Sequence, residues 1–248
     1  MNRFLCFILL VISHTKLAGQ ANIKDSALFI TSVRVSYAPQ LPGGTMVNRF
    51  GWNSNLGFHV DIKTKHSVLF GIEGNFLFGN KVKEDVLSIL RNDDSAIIDQ
   101  SGTYAKVLTY ERGLVVNAYT GYLFNKFGPN PNSGILVKVG FGFMQHKVRI
   151  EHNKNSVPAL NGDYIKGYDR LTNGFNISEF IGYQLLSNSK LLNFFVGFEF
   201  YQGFTQSRRD WNTDLFKANT EKRMDILSGF RVGWILPLYK RAPKDYYY

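Results

Sequence analysis

From residue 28 to residue 239 the sequence runs through eight stretches of alternating apolar and polar side chains, and the connections between them sort strictly by length. The stretches are Leu28–Ala38, Trp52–Lys63, Ser67–Gly79, Val107–Phe124, Gly134–Ile150, Gly174–Leu186, Leu192–Phe204 and Met224–Tyr239. Period-two alternation puts apolar side chains on one face of a β-strand and polar or small ones on the other. The connections, at 39–51, 64–66, 80–106, 125–133, 152–173, 187–191 and 205–223, run long, short, long, short, long, short, long. A soluble sandwich has no reason to sort its loops in this way. A membrane barrel does, because short turns face the periplasm and long loops face outside.

The pattern therefore predicts an all-β protein: an eight-stranded antiparallel up-and-down transmembrane β-barrel. Tilted strands of about 9–11 residues cross the hydrocarbon layer, and these stretches reach that length. Closing the sheet removes the unpaired edge that lipid cannot solvate. Aromatics gather near the ends of the stretches, at Tyr37, Trp52, Phe78, Tyr122, Phe124, Phe143, Phe204, Trp234 and Tyr239. Such placement suits two interfacial girdles. An even strand number puts both termini in the periplasm and the long loops outside the cell.

Ahead of the first stretch, residues 1–21 read as an export signal. Arg3 supplies a positive start, Phe4 to Ile12 an apolar core, and "AGQA" small residues for cleavage. The barrel then occupies 22–239 and a tail 240–248. The only cysteine, Cys6, lies in the leader, so the mature chain has no thiol for disulfides, metal sites or catalysis. The precursor carries a net charge of +10, and removing Arg3 and Lys16 with the leader leaves +8. An exported protein seldom meets nucleic acid, so that charge points to anionic lipid, to sugar phosphates or to ordinary solvated surface.

The final stretch ends in "RVGWILPL", where Arg231, Gly233, Leu236 and Leu238 resemble the signal read by the barrel-assembly machinery. With this closing strand, the chain resembles the small OmpA/OmpX-like barrels and, more closely, the outer-membrane β-barrel family of Bacteroidota. The resemblance implies insertion into the outer membrane; that family hosts unrelated roles. It departs from such barrels in the tail "KRAPKDYYY". Lys240, Arg241 and Lys244 are basic, and Tyr246, Tyr247 and Tyr248 offer ring surface suited to a protein interface. Docking on a periplasmic or membrane partner is one expectation for the tail, and interfacial anchoring is the other.

On the polar faces, an interior charge network is expected from Arg34, Asp61, Glu73, Arg112, Lys138, Glu199, Asp225 and Arg231, joined by His59. The interior of an eight-stranded barrel is just wide enough for side chains to fill it. Opposite charges there should pair and plug the lumen. Glu179 falls on an apolar face, which a β-bulge would explain. Within 81–94, Val82, Val86, Ile89 and Leu90 share one helical face, which fits a locally ordered loop first, and otherwise a short helix capping the barrel mouth or a docking face for a partner. The stretches "YIKGYDRLTNGF" and "FTQSRRDWNTD" bring aromatic and basic residues to the outer rim, as contacts for sugar phosphates or a partner, or as solvated surface.

Some small barrels are lipid-modifying enzymes that use histidine, serine and a carboxylate. Here the candidate histidines are His59, His146 and His152, but the sequence displays no serine–base–carboxylate trio. No metal-ligand spacing is present, and the glycines of "GFGF" follow no strand-to-helix turn that would cradle phosphate. No catalytic residue, metal or cofactor is expected. These readings favour a non-enzymatic outer-membrane barrel, an accessory or scaffold subunit of an envelope secretion or assembly complex. Its partners would be outer-membrane lipid, the assembly machinery, and envelope proteins reached through the tail and the outer loops. A free-standing membrane-stabilising or adhesion barrel, a lipid-modifying enzyme and a narrow channel remain as alternatives.

Overall fold

The computed structural model describes residues 23, 26–153, 157–187 and 192–238. The leader and the tail, including Lys240, Arg241, Lys244 and Tyr246 to Tyr248, lie outside the described residues. Eight strands follow one another: β1 (Ile30–Gly44), β2 (Asn53–Lys63), β3 (Val68–Gly79), β4 (Val107–Phe124), β5 (Gly134–His152), β6 (Thr172–Leu185), β7 (Phe194–Ser207) and β8 (Lys222–Leu238). Each pairs antiparallel with its neighbours, and β1 pairs with β8 to close the barrel. No helix among the described residues is long and apolar enough to cross a membrane.

Register fixes the geometry. From Thr31, paired residues lead through Ile62, Phe70, Thr120, Val139, Glu179, Phe200 and Ser228 back to β1 at Leu41. One circuit thus climbs ten residues, which tilts the strands by about 40° at the usual strand spacing. That tilt holds the lumen to side-chain width. Outward positions carry Phe70, Ile72, Phe141, Phe198 and Phe230 at 45–65 % exposure. Such a continuous apolar exterior is stable against lipid rather than water.

Strand β1 continues six residues beyond the expected stop at Ala38, despite Pro39 and Pro42. The ladder to β8 has no paired residues at Ala38 and Pro39 and resumes at Gln40. Proline's missing N–H removes a donor there without ending the strand.

Candidate functional site

The lumen is filled by two polar tiers between two apolar lids. At mid-depth, Arg34, Lys138 and Arg231 meet Asp61, Glu73 and Glu199, all nearly inaccessible to solvent. Arg34 pairs with Asp61 at 2.5 Å, and Asp61 also accepts from Ser32 (2.5 Å) and Tyr119 (2.7 Å). Arg231 pairs with Glu199 and donates to Ser36 (2.5 Å), Asn75 (3.1 Å) and Tyr201 (3.2 Å). Gln40 donates to Glu199 at 2.6 Å. Glu73 accepts from Asn117 at 3.0 Å and lies 3.8 Å from the Lys138 ammonium. That ammonium sits over the rings of Tyr119, Phe180 and Phe195, at 4.3, 5.1 and 5.8 Å from their centroids. Three buried cations face three buried carboxylates, as burial of charge in a low-dielectric interior demands. A cavity of about 10 Å³ remains beside Lys138, Tyr201 and Arg231, room for about one water.

Two glycines make this packing possible. A Cβ at Gly57 would collide with the Arg231 guanidinium and with Ser36 Oγ. One at Gly233 would enter the ring of Phe195. Within the closing-strand motif, Arg231 therefore points inward, Gly233 makes way for Phe195, and Leu236 and Leu238 face out.

Asp225 belongs to a higher tier. It pairs with Arg49 (3.0 Å) and His146 (2.9 Å) and accepts from Thr205 (2.6 Å) and Thr45 (2.9 Å). Arg112 requires a correction. Strand parity puts it on the outward face with Leu114, where its guanidinium lies 5.1 Å from the Tyr110 ring centroid. The inward position at that level belongs to Glu111, which accepts from Asn53 at 2.8 Å. Counting by twos from Asn117 through Tyr119 marks the odd positions as inward, so the sequence held that signal. Arg49 sits in a loop without periodicity and carries no such mark.

Apolar lids close both ends. At the long-loop end, Met46, Phe50, Val86, Leu87, Ile97, Val157, Leu160 and Tyr168 pack onto Leu77, Val115, Met144 and Leu227 of the wall. The loop is ordered without a helix beyond one 3-10 turn, Ser88–Leu90, and Ile89 stays exposed. Val86 and Leu87 turn down into the lid, so burial on the barrel mouth overrides helical periodicity. Arg170 clamps the lid by pairing with Glu84 (2.7 Å) and Asp214 (2.5 Å) from two other loops. Burial lowers the Arg170 pKa, but its hydrogen bonds to these carboxylates and their negative charge more than offset it and hold it above the ordinary arginine value. Arg209 pairs with Asp169 at 2.5 Å, while Tyr164 and Trp211 stand exposed at the rim. At the short-turn end, Ile23, Ile30, Leu69, Leu123, Leu136, Phe180, Phe195 and Ile235 form the second lid. Asn132 ties it down by donating to the carbonyls of Ile23 (2.9 Å) and Ser26 (2.8 Å).

The lumen also assembles a trio that no sequence spacing announces. Ser36 Oγ lies 2.8 Å from His59 Nε2, and His59 Nδ1 lies 3.0 Å from Glu73 Oε2, off the line of a hydrogen bond. A serine nucleophile needs open space for a substrate carbonyl and donors for its oxyanion. Here Arg231, Asn75 and the close approach of Gly57 fill that space, so these three side chains read as part of the plug. His146 has its carboxylate, Asp225, but among the described residues no serine bonded to it. His152 stays at the rim, where its Nδ1 is 3.5 Å from the backbone N–H of Val157. Among the described residues no cluster of ligating side chains suits a metal ion.

Glu179 lies in an unbroken β5–β6–β7 register, with no bulge. It points outward, among lipid-facing side chains, and accepts from Gln202 of β7 at 3.3 and 3.4 Å.

A closed antiparallel barrel with an apolar outer belt and a filled lumen is a small transmembrane barrel of the outer-membrane type. Solved structures that resemble this chain include Neisserial surface protein A, at 9 % identity and a TM-score of 0.43, covering 83 % of this chain and 96 % of that one. Ail, the attachment invasion locus protein of Yersinia pestis, resembles it at 8 % identity and 0.42, covering 84 % and 99 %. The outer membrane protein OprG from Pseudomonas aeruginosa does so at 9 % and 0.43, covering 87 % and 99 %. No family model matches the sequence, and no curated protein does.

Proposed function

We propose that this protein is a non-enzymatic outer-membrane barrel that works through its surfaces, as an accessory or scaffold subunit of an envelope secretion or outer-membrane assembly complex. The observation that supports this reading most is the lumen: two apolar lids enclose a charge-balanced network. A barrel that conducts nothing and exposes no catalytic serine has its outer face, its loops and its tail left to act with. In this reading the short turns and both termini face the periplasm, the long loops face outside, and the envelope is of the Bacteroidota type.

Within it, Lys240, Arg241, Lys244 and Tyr246 to Tyr248 dock on a periplasmic or neighbouring membrane partner. The test is extraction of native membranes in mild detergent, followed by native electrophoresis and identification of co-purifying envelope proteins. Migration in a complex larger than the monomer, with partners lost on deletion of Ala242 to Tyr248, is the expected result. A wild-type protein that migrates alone would leave a free-standing membrane-stabilising or adhesion barrel instead. Partners retained in full by the truncated chain would refute the role of the tail.

A further inference from the structure

Between the two aromatic girdles, the outward face of the described strands carries a single charged side chain, Glu179. On β6 it lies four residues from Phe175, toward the outer girdle, and four from Tyr183, toward the inner one. At the strand tilt derived above, each girdle is about 10 Å away in depth. Glu179 is therefore near the midplane. Among the described residues no lysine or arginine pairs with it, and Gln202 offers only two long hydrogen bonds. Ser228 also faces out, on β8 across from Phe200, its hydroxyl 3.5 Å from the Leu41 carbonyl.

These polar groups border a groove of about 660 Å³ in the barrel wall, whose outward lining includes Val137, Val139, Ile181, Phe198 and Phe230. Phe198 and Phe230 meet edge to face at 5.3 Å and form one wall. The direct cross-strand neighbours of Glu179 are Val139 and Phe200.

Intramembrane carboxylates are costly against lipid and mark partner or ligand contacts. An acyl chain in this groove offers no donor to the carboxylate. Pairing with a second copy about an axis normal to the membrane would set Glu179 against its own equivalent at the same depth, carboxylate to carboxylate. A different polypeptide presenting a cation at that depth solves both problems.

We propose that the β5–β8 face centred on Glu179 is an intramembrane docking surface for a membrane-spanning segment of another protein, which presents an arginine or lysine near the midplane. This rests on the subunit reading above and supplies it with a second contact, independent of the tail.

The test places a photo-crosslinking residue at Phe200, beside Glu179, or at Phe70 on β3 as a control, in the full-length chain in its native membrane. Adducts are mapped by mass spectrometry, with Glu179 intact or replaced by Leu or Gln. We expect an adduct from position 200 and not from position 70, joined to a membrane-spanning segment of another protein that carries Arg or Lys. Glu179→Leu should reduce it at least ten-fold and Glu179→Gln less, while the folded barrel stays as heat-resistant as wild type or becomes more so. Adducts to lipid alone, adducts to a second copy of this chain, equal adducts from both positions, or no effect of Glu179→Leu would each overturn the proposal. So would loss of the folded barrel in both Glu179 variants, because the carboxylate would then serve the fold. If the native complex persists through any of these results, the docking face fails and the subunit reading stands. If wild type neither cross-links nor co-purifies with anything, both fail.

Discussion

Replacing Arg231 alone should damage the barrel far more than replacing Arg231 and Glu199 together. In the native lumen the Arg231 guanidinium serves Glu199, Ser36, Asn75 and Tyr201 at once, from a site only 1 % exposed. Arg231→Met keeps side-chain length and removes the charge. It strands the Glu199 carboxylate with Gln40 as its remaining donor. Leaving one partner of a buried pair uncompensated costs about 3–5 kcal/mol. In the double variant Arg231→Met/Glu199→Met the stranded charge is gone and apolar volume replaces both groups. Such exchanges range from neutral to stabilising by about 1–4 kcal/mol, here reduced by the Ser36, Asn75 and Tyr201 groups left without the guanidinium. The expected coupling energy is about 3 kcal/mol or more, well beyond the roughly 0.5 kcal/mol scatter of independent sites. Urea unfolding of the barrel in lipid vesicles measures it, with the faster gel migration of unheated, folded protein as the readout. Added salt should change it little, because the pair is screened from solvent. A single variant costing under 1 kcal/mol, or a double variant at least as unstable as the sum of the singles, would refute the argument that these charges hold one another in place.

Planar-bilayer recording of the purified protein should show no stable conductance, and large regular steps would contradict a lumen closed by two lids. Ser36→Ala should leave the acyl pattern of outer-membrane lipid unchanged, and a fluorophosphonate probe should fail to label wild type; labelling at Ser36 would turn the buried trio into an active site. Arg170→Ala releases Glu84 and Asp214 together, so limited trypsin treatment should cut at Lys81, Lys83 or Arg91 several-fold faster than in wild type while the membrane-embedded barrel survives. Unchanged cleavage would show that the apolar lid holds these loops without the clamp.

What the sequence by itself determined was the wall. Alternation is a local property of a strand, so eight runs and the sorted connections between them suffice to place strands, faces and turns; β4 begins and ends at the predicted residues. Even Arg112 was decided locally, since parity with Leu114 turns it outward, and Glu179 needs no bulge once its outward direction is taken at face value. The lumen was decided elsewhere. Arg231 meets Ser36 across 195 positions, and Arg34 meets Gln184 across 150. These meetings depend on the ten-residue climb of the register around the closed ring, which no single strand encodes. The same holds for Arg49 and Arg170, whose loops show no period, and for Val86, whose helical period gives way to burial over the barrel mouth. Local periodicity fixes which way a side chain points, and only closure of the sheet fixes what it meets there.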